Sequence, residues 1–197
     1  AASDRSLPTD ERVAAVVQLA GLDHAWNRID AALEKYGAAY AYYRQAGNAP
    51  MQGITLLGAG YALERANRVP EAWERFRQAM EVGLAHGLQQ LVLNAAIALG
   101  GMHQRGGQWS EAATYWESAS WLAKALNNGF ALADAIESWG VCLVALNDEA
   151  KALEVWTRGV QIAQRWEYWI RVVSLLEHLV AIETRAGMRE ERAAHET

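Results

Sequence analysis

The chain is poor in the residues that cross-link small folds and in those that break helices. Its 197 residues include one cysteine and three prolines. Cys142 has no intrachain partner, which excludes a disulfide scaffold. Pro8, Pro50 and Pro70 leave long stretches in which a helix can run without interruption. No apolar run reaches the roughly 18 residues of a membrane span, and the polar amino-terminal segment lacks the apolar core of a signal peptide.

An excess of basic charge is also missing. The 18 basic and 23 acidic residues give a net charge of −5. Proteins that bind nucleic acid directly usually carry a basic face, so this balance disfavours that class. A lone thiol is typical of a reducing compartment, and we predict a cytoplasmic protein with no membrane span. At 52% hydrophobic residues, the chain can bury a substantial core.

The residues that are abundant favour helices. Alanine, leucine, glutamate, glutamine and arginine dominate, and these are strong helix formers. No strand-length window alternates β-branched residues with polar ones. The sequence therefore predicts an all-α fold.

A forty-residue repeat runs through the chain without gaps. One column is small in four of five copies: Ala20, Gly60, Gly100, Gly140 and Val180. Twelve residues later comes an alanine column of Ala32, Ala72, Ala112 and Ala152, which Arg192 ends. Four further on is an aromatic column of Tyr36, Phe76, Trp116 and Trp156. Turn residues recur in phase at Asn27, Asn67, Gly107, Asn147 and Gly187.

These columns predict pairs of helices that stack on one another. A small residue in the first helix lets its partner approach closely, and the aromatic side chain of the second helix occupies the space left. A single pair cannot bury its apolar face, so the pairs must stack. We expect one domain over residues 1–197 with about five repeats, at residues 8–48, 49–88, 89–128, 129–168 and 169–197. The last repeat departs from the columns, which suits a capping helix or a cut inside a longer array.

The small, alanine and aromatic columns resemble the tetratricopeptide repeat (TPR). The clearest copies run from Leu99-Gly100 through Trp116 to Ala119, and from Trp139-Gly140 through Asn147 to Trp156. The period is forty residues rather than the 34 of the common repeat, so each helix should be longer by nearly a turn. The resemblance implies a right-handed superhelical solenoid of stacked antiparallel helix pairs.

In the family that these repeats resemble, ligands contact the first helix of each pair, which forms the concave wall. Carried over by position, the ligand columns hold Leu57, Tyr61, Glu64, Arg65, Asn94, Ile97, Gln104, Arg105, Asp134, Glu137 and Arg185, with Ile54, Gly101, Val141, Val144, Ser174, Glu177 and Thr184 beside them. Those columns lack the lysine and asparagine pair that a carboxylate clamp needs, so the sequence argues against a clamp.

Three arginines share one column of this wall. Arg65, Arg105 and Arg185 are predicted to hold an acidic segment of a partner through bidentate contacts. The alternative is that each one lies in the last turn of its helix, where a cation interacts favourably with the helix dipole. Asp134 and Glu137 make the fourth repeat acidic, so the predicted wall is mixed in charge.

Residue patterns typical of catalysis or metal binding are missing. Two histidines never occur four residues apart, and no HExxH or CxxC motif occurs, so we predict neither a metal site nor a cofactor. Cys142 follows the small column and is predicted to be a buried, inert thiol.

The sequence predicts a non-catalytic interaction module that binds a peptide or a partner's helix in the concave groove. The partner is then a protein or peptide, and the chain is part of a larger chain or complex. The alternative is a regulatory sensor domain of a larger signalling or transcription-regulator protein, which binds a small effector or a peptide. An enzyme is the least favoured interpretation, because the sequence shows no nucleophile paired with a base, and no pair of acids, that meets the usual criteria for a catalytic site.

Overall fold

Helices account for all regular structure in the computed structural model, which describes residues 9–195, with side chains through residue 186. Within that range the helices are α1 (Thr9–Ala25), α2 (Ile29–Gln45), α3 (Ala49–Arg65), α4 (Val69–Ala85), α5 (Gln89–Arg105), α6 (Trp109–Ala125), α7 (Gly129–Ala145), α8 (Glu149–Arg165) and α9 (Trp169–His195). No strand occurs in the described residues, which confirms the all-α prediction.

The connections between helices follow one design, repeated every twenty residues. Each is three residues long, and its middle residue has a positive φ: Asn27, Gly47, Asn67, Gly87, Gly107, Asn127, Asn147 and Glu167. The N–H of the third residue donates to a carbonyl five residues back, as Arg28 does to Asp23 at 2.7 Å. The middle N–H donates three residues back, as Asn27 does to His24 at 3.0 Å. This is the Schellman motif, which satisfies the last carbonyls of each helix.

The structure corrects one prediction about a helix end. Gly187 is not a turn residue, since α9 continues through it to His195 without a break. The fifth repeat is therefore one long helix rather than a pair. α6 begins at Trp109, and Asp148 caps α8 by accepting from the N–H of Lys151 at 3.2 Å.

The chain divides into two compact units, with the boundary between Ala95 and Ala96 inside α5. In the first unit α1 packs on α2, α2 on α3 and α3 on α4, and α1 also contacts α3. In the second unit the same order recurs, with α6 on α7, α7 on α8, α8 on α9 and a contact between α7 and α9. The single domain that the sequence suggests stays a prediction.

The core of each unit is built from the small and aromatic columns. Phe76, Trp116 and Trp156 are all buried. A Cβ placed on Gly60 would lie 2.5 Å from the Phe76 ring, and one on Gly100 would lie 3.1 Å from Trp116. A Cβ on Gly140 would overlap the Trp156 ring. The close approach of the two helices therefore depends on the missing side chain, as the columns predict.

Candidate functional site

In the first unit the predicted ligand columns of α3 form a stripe of exposed side chains. Ile54, Tyr61 and Arg65 are exposed, the first two by 48% and 38%. They are seven and four residues apart, so they lie on one face of the helix. We call these three residues the α3 stripe. Leu57 is buried at 7% exposure and contributes to the core instead, while Glu64 is half-buried.

Two contacts fix the side chains of Tyr61 and Arg65 in the α3 stripe. The Tyr61 ring packs edge-on against Phe76, with ring centroids 4.9 Å apart. The Nε of Arg65 donates to Oδ1 of Asn27 at 3.1 Å, so α3 is tied to the turn after α1. Arg65 also ends α3, where its charge interacts favourably with the helix dipole. Both roles predicted for this arginine are compatible with its position.

The ligand columns of α5 take part in polar contacts of their own. Asn94 accepts a hydrogen bond from Gln90 at 3.0 Å in the first unit. In the second unit Gln104 accepts from the indole N–H of Trp116 at 2.8 Å, which supports the core aromatic. Ile97 is half-buried and Arg105 is exposed at the end of α5.

In the second unit the acidic residues of α7 are neutralised by α9. Glu137 is 9% exposed, and its carboxylate accepts hydrogen bonds from Arg171 and Ser174. Asp134 pairs with the same arginine at 2.8 Å. His178 lies 3.4 Å from Glu137. These carboxylates are therefore part of the packing of α7 on α9 rather than an open acidic surface.

Arg171 is the partner that sequence reasoning missed. It lies outside the columns taken from the family resemblance, and its role follows only once α9 is known to pack beside α7. The pairing follows from the burial of Glu137 in the structure, since a buried charge requires a partner. The fourth repeat, which the sequence predicted to be acidic, therefore contains Asp134 and Glu137 paired with the cation Arg171.

The three arginines of the predicted ladder have different surroundings. Arg65 belongs to the first unit, and Arg105 and Arg185 belong to the second. Arg185 donates to the carbonyl of Ala181 at 3.1 Å and lies 3.8 Å from Glu149. The ladder itself stays a prediction.

A cavity that sequence reasoning missed lies in the second unit. It has a volume of about 590 Å³ and is lined by residues of α6, α7 and α8, with Trp121, Trp139 and Trp166 in its walls. Lys124, Arg158 and Arg165 also line it. We call it the α6–α8 cavity. Much of its lining comes from the second helices of the pairs, where the family resemblance places no ligand columns.

The described part of the chain contains neither a reactive thiol nor a group of metal ligands. Cys142 is fully buried, and burial raises the pKa of its thiol to about 11, so the thiolate is scarce at neutral pH. Among the described residues no three His, Cys, Asp or Glu side chains come together as metal ligands. No helix in that range is both long and apolar enough to cross a membrane.

No protein-family model and no curated protein sequence matches the chain. Solved structures do. RapI in its apo form matches 79% of the chain at 13% identity with a TM-score of 0.74, and the chain spans 43% of the length of RapI. A Rap protein complexed with competence and sporulation factor matches 91% of the chain at 15% identity with a TM-score of 0.72, and the chain spans 55% of its length.

A third similar structure agrees with the chain over nearly the whole of both proteins. It is the crystal structure of the nearly identical TPR-like repeats of a Podosopora anserina protein that is named after kinesin light chain. It covers 94% of this chain and 92% of its own length at 16% identity, with a TM-score of 0.73. At these identities the similarity establishes the fold alone. Together with the stacked helix pairs and the small and aromatic columns, it shows that the chain has the fold of the tetratricopeptide-repeat solenoids.

Proposed function

We propose that the chain is a non-catalytic interaction module that binds a peptide or a helix of a protein partner along the first helix of its pairs. The α3 stripe carries this proposal. Its isoleucine and tyrosine are exposed side chains on one face of the helix. Apolar side chains exposed on one face beside a cation are typical of a surface that a partner covers.

The α3 stripe is preorganised for such a partner. Tyr61 rests on Phe76, so little side-chain entropy is lost when a ligand covers the ring. Arg65 is held by Asn27 through Nε, which leaves its terminal N–H groups able to donate to a ligand carboxylate. We therefore expect the partner's segment to carry an apolar residue and an acidic one.

The fold supports the proposal in a general way. Stacked helix pairs present side chains from successive helices along one surface, and repeat proteins use such surfaces for binding. The Rap protein that shares this fold is described as complexed with competence and sporulation factor. Fold alone does not define function, so the α3 stripe is the specific feature that supports the proposal.

The test is quantitative affinity capture with the intact chain and two matched variants. Ile54→Asp/Arg65→Glu changes the α3 stripe. Val69→Asp/Arg44→Glu is the control in the same unit, because Val69 is also 48% exposed and Arg44 also lies in the last turn of a helix. Circular dichroism must first show that both variants are folded.

The proposal predicts at least one protein that the wild type and the control capture equally and that the α3-stripe variant loses by tenfold or more. Equal capture of every protein by all three forms would contradict it. The captured protein would then be used as a purified partner to measure the effect of each substitution alone.

A further inference from the structure

The α6–α8 cavity combines a buried apolar wall with an exposed tryptophan. Its inner wall is apolar and buried, with Ala123, Ile136 and Val155 each at most 5% exposed. Trp121, 64% exposed, also lines it. A volume of about 590 Å³ lies in the range of sites that take small organic molecules.

The charge of the cavity has one sign. Lys124, Arg158 and Arg165 line it, and no aspartate or glutamate is among the described residues that line it. This local excess of positive charge occurs in a chain whose net charge is −5. A concave site of one sign with apolar walls attracts a ligand of the opposite sign.

Two of these cations are free to bind a ligand. Within the described residues, neither Arg158 nor Arg165 has a hydrogen bond or ion pair with another side chain. Lys124 lies over the Trp121 ring at 5.7 Å from its centroid. Planar guanidinium groups bind carboxylates and sulfonates through two parallel hydrogen bonds, so both arginines have unused capacity for an anion.

We propose that the α6–α8 cavity is a binding site for a small organic anion with a planar aromatic body. The aromatic body lies against the indole rings, and the anionic group is bound by Arg158 and Arg165. Offset or edge-on aromatic contacts are favourable with indole, which gives a preference for planar ligands. This site is in the second unit and does not rest on the function proposed for the α3 stripe, which is in the first.

The experiment compares two fluorescent probes of nearly the same shape. 8-Anilinonaphthalene-1-sulfonate carries a sulfonate, and N-phenyl-1-naphthylamine is its neutral analogue. Each is titrated into the wild type, Arg158→Gln/Arg165→Gln, Gln161→Trp and the control Arg12→Gln/Arg44→Gln. The control removes the same charge from the first unit. Gln161 is exposed and lines the cavity, so tryptophan there fills space with little risk to folding.

The proposal predicts that Arg158 and Arg165 contribute to the affinity for the sulfonate probe and not to the affinity for the neutral probe. Arg158→Gln/Arg165→Gln weakens binding of the sulfonate about tenfold or more and leaves the neutral probe within about twofold, since only the anion forms charged hydrogen bonds. Gln161→Trp weakens both probes, and the control changes neither. The proposal is overturned if all four proteins bind the sulfonate equally, or if the arginine variant weakens both probes to the same degree.

Discussion

Gly37 and Gly140 both lie inside helices, yet an added methyl group would meet opposite surroundings at the two positions. Nothing lies within 4 Å of a Cβ on Gly37, which faces open space on α2. A Cβ on Gly140 would overlap Trp156, whose indole N–H donates to the carbonyl of Glu137 at 3.0 Å. The same substitution should therefore have opposite effects at the two sites.

We predict that Gly37→Ala stabilises the protein and that Gly140→Ala destabilises it. Alanine is favoured over glycine by about 0.5–1 kcal/mol inside a helix, which is the gain expected at position 37. At position 140 overpacking should cost about 1–3 kcal/mol, because the ring is held by its hydrogen bond and its neighbours. Urea denaturation followed by circular dichroism measures both. A stabilised Gly140→Ala variant would show that helix approach does not depend on this glycine.

At the residue scale the sequence predicted packing better than binding. The small and aromatic columns identify Gly140 and Trp156 as neighbours, because a contact in the core requires a small residue opposite a large one in every repeat. The ligand columns mix exposed residues such as Tyr61 with buried ones such as Leu57. Position in a family pattern gives the face of a helix, whereas exposure depends on how the neighbouring helices pack.

Each helix–helix connection depends on a residue that tolerates a left-handed backbone. Seven of the eight connections in the described chain have asparagine or glycine at the middle position. The exception is Glu167, with φ of 55° between α8 and α9. A side chain with a Cβ is disfavoured in this conformation, and asparagine is the usual alternative to glycine.

We predict that Glu167→Gly stabilises the protein by about 1 kcal/mol, since glycine adopts the left-handed conformation at no steric cost. The control is Glu154→Gly, which removes the same charge from the exposed middle of α8 and should destabilise by about 1 kcal/mol. Thermal denaturation of both variants measures the contrast. Destabilisation by Glu167→Gly would mean that the glutamate side chain stabilises the turn.

At the element scale the sequence predicted the turns of the first four repeats and failed at the fifth. Gly187 is in phase with the turn column, but α9 runs through it. A single glycine costs a helix only about 1 kcal/mol. The residues after it, Met188-Arg189-Glu190-Glu191-Arg192, are all good helix formers, so continuing the helix is favoured. A periodic column alone does not distinguish a turn glycine from a helical one.

At the scale of the whole molecule, mild acidification should reduce stability. Burial lowers the pKa of His178, with Arg171 adding to the effect and Glu177 opposing it. Burial and Arg65 lower the pKa of His24. Below the ordinary value of 6.5 the unfolded chain therefore binds more protons than the folded chain, and stability falls as the pH falls through that value.

We predict that the melting temperature decreases between pH 7.5 and 5.5 and that His24→Gln/His178→Gln reduces the slope. The carboxylate of Asp23 does not interfere in this range. A hydrogen bond from Lys35 lowers its pKa, so its contribution is lost only at more acidic pH. Melting curves at several pH values test this. An unchanged slope in the double variant would assign the pH dependence to other groups.

The whole molecule was only partly predictable from the sequence. The forty-residue period and the all-α fold follow from columns that every helix pair shares. The division into two units between Ala95 and Ala96 could not be predicted from the columns. The helix pairs on both sides of the division have the same residue types in these columns. The α6–α8 cavity was missed for a related reason: its three tryptophans, which belong to the third and fourth repeats, do not recur at the equivalent positions of the other repeats.

The register of the columns underlies every assignment above, including the α3 stripe, and it rests on the contact between the small and aromatic columns. A double-mutant cycle of Gly140→Ala and Trp156→Phe tests this contact directly through urea denaturation. Because the smaller ring leaves room for the methyl group, we predict that Gly140→Ala costs less in the Trp156→Phe background, with a coupling energy of about 1–3 kcal/mol. Additive effects, within about 0.5 kcal/mol, would contradict the contact and with it the register of the repeat.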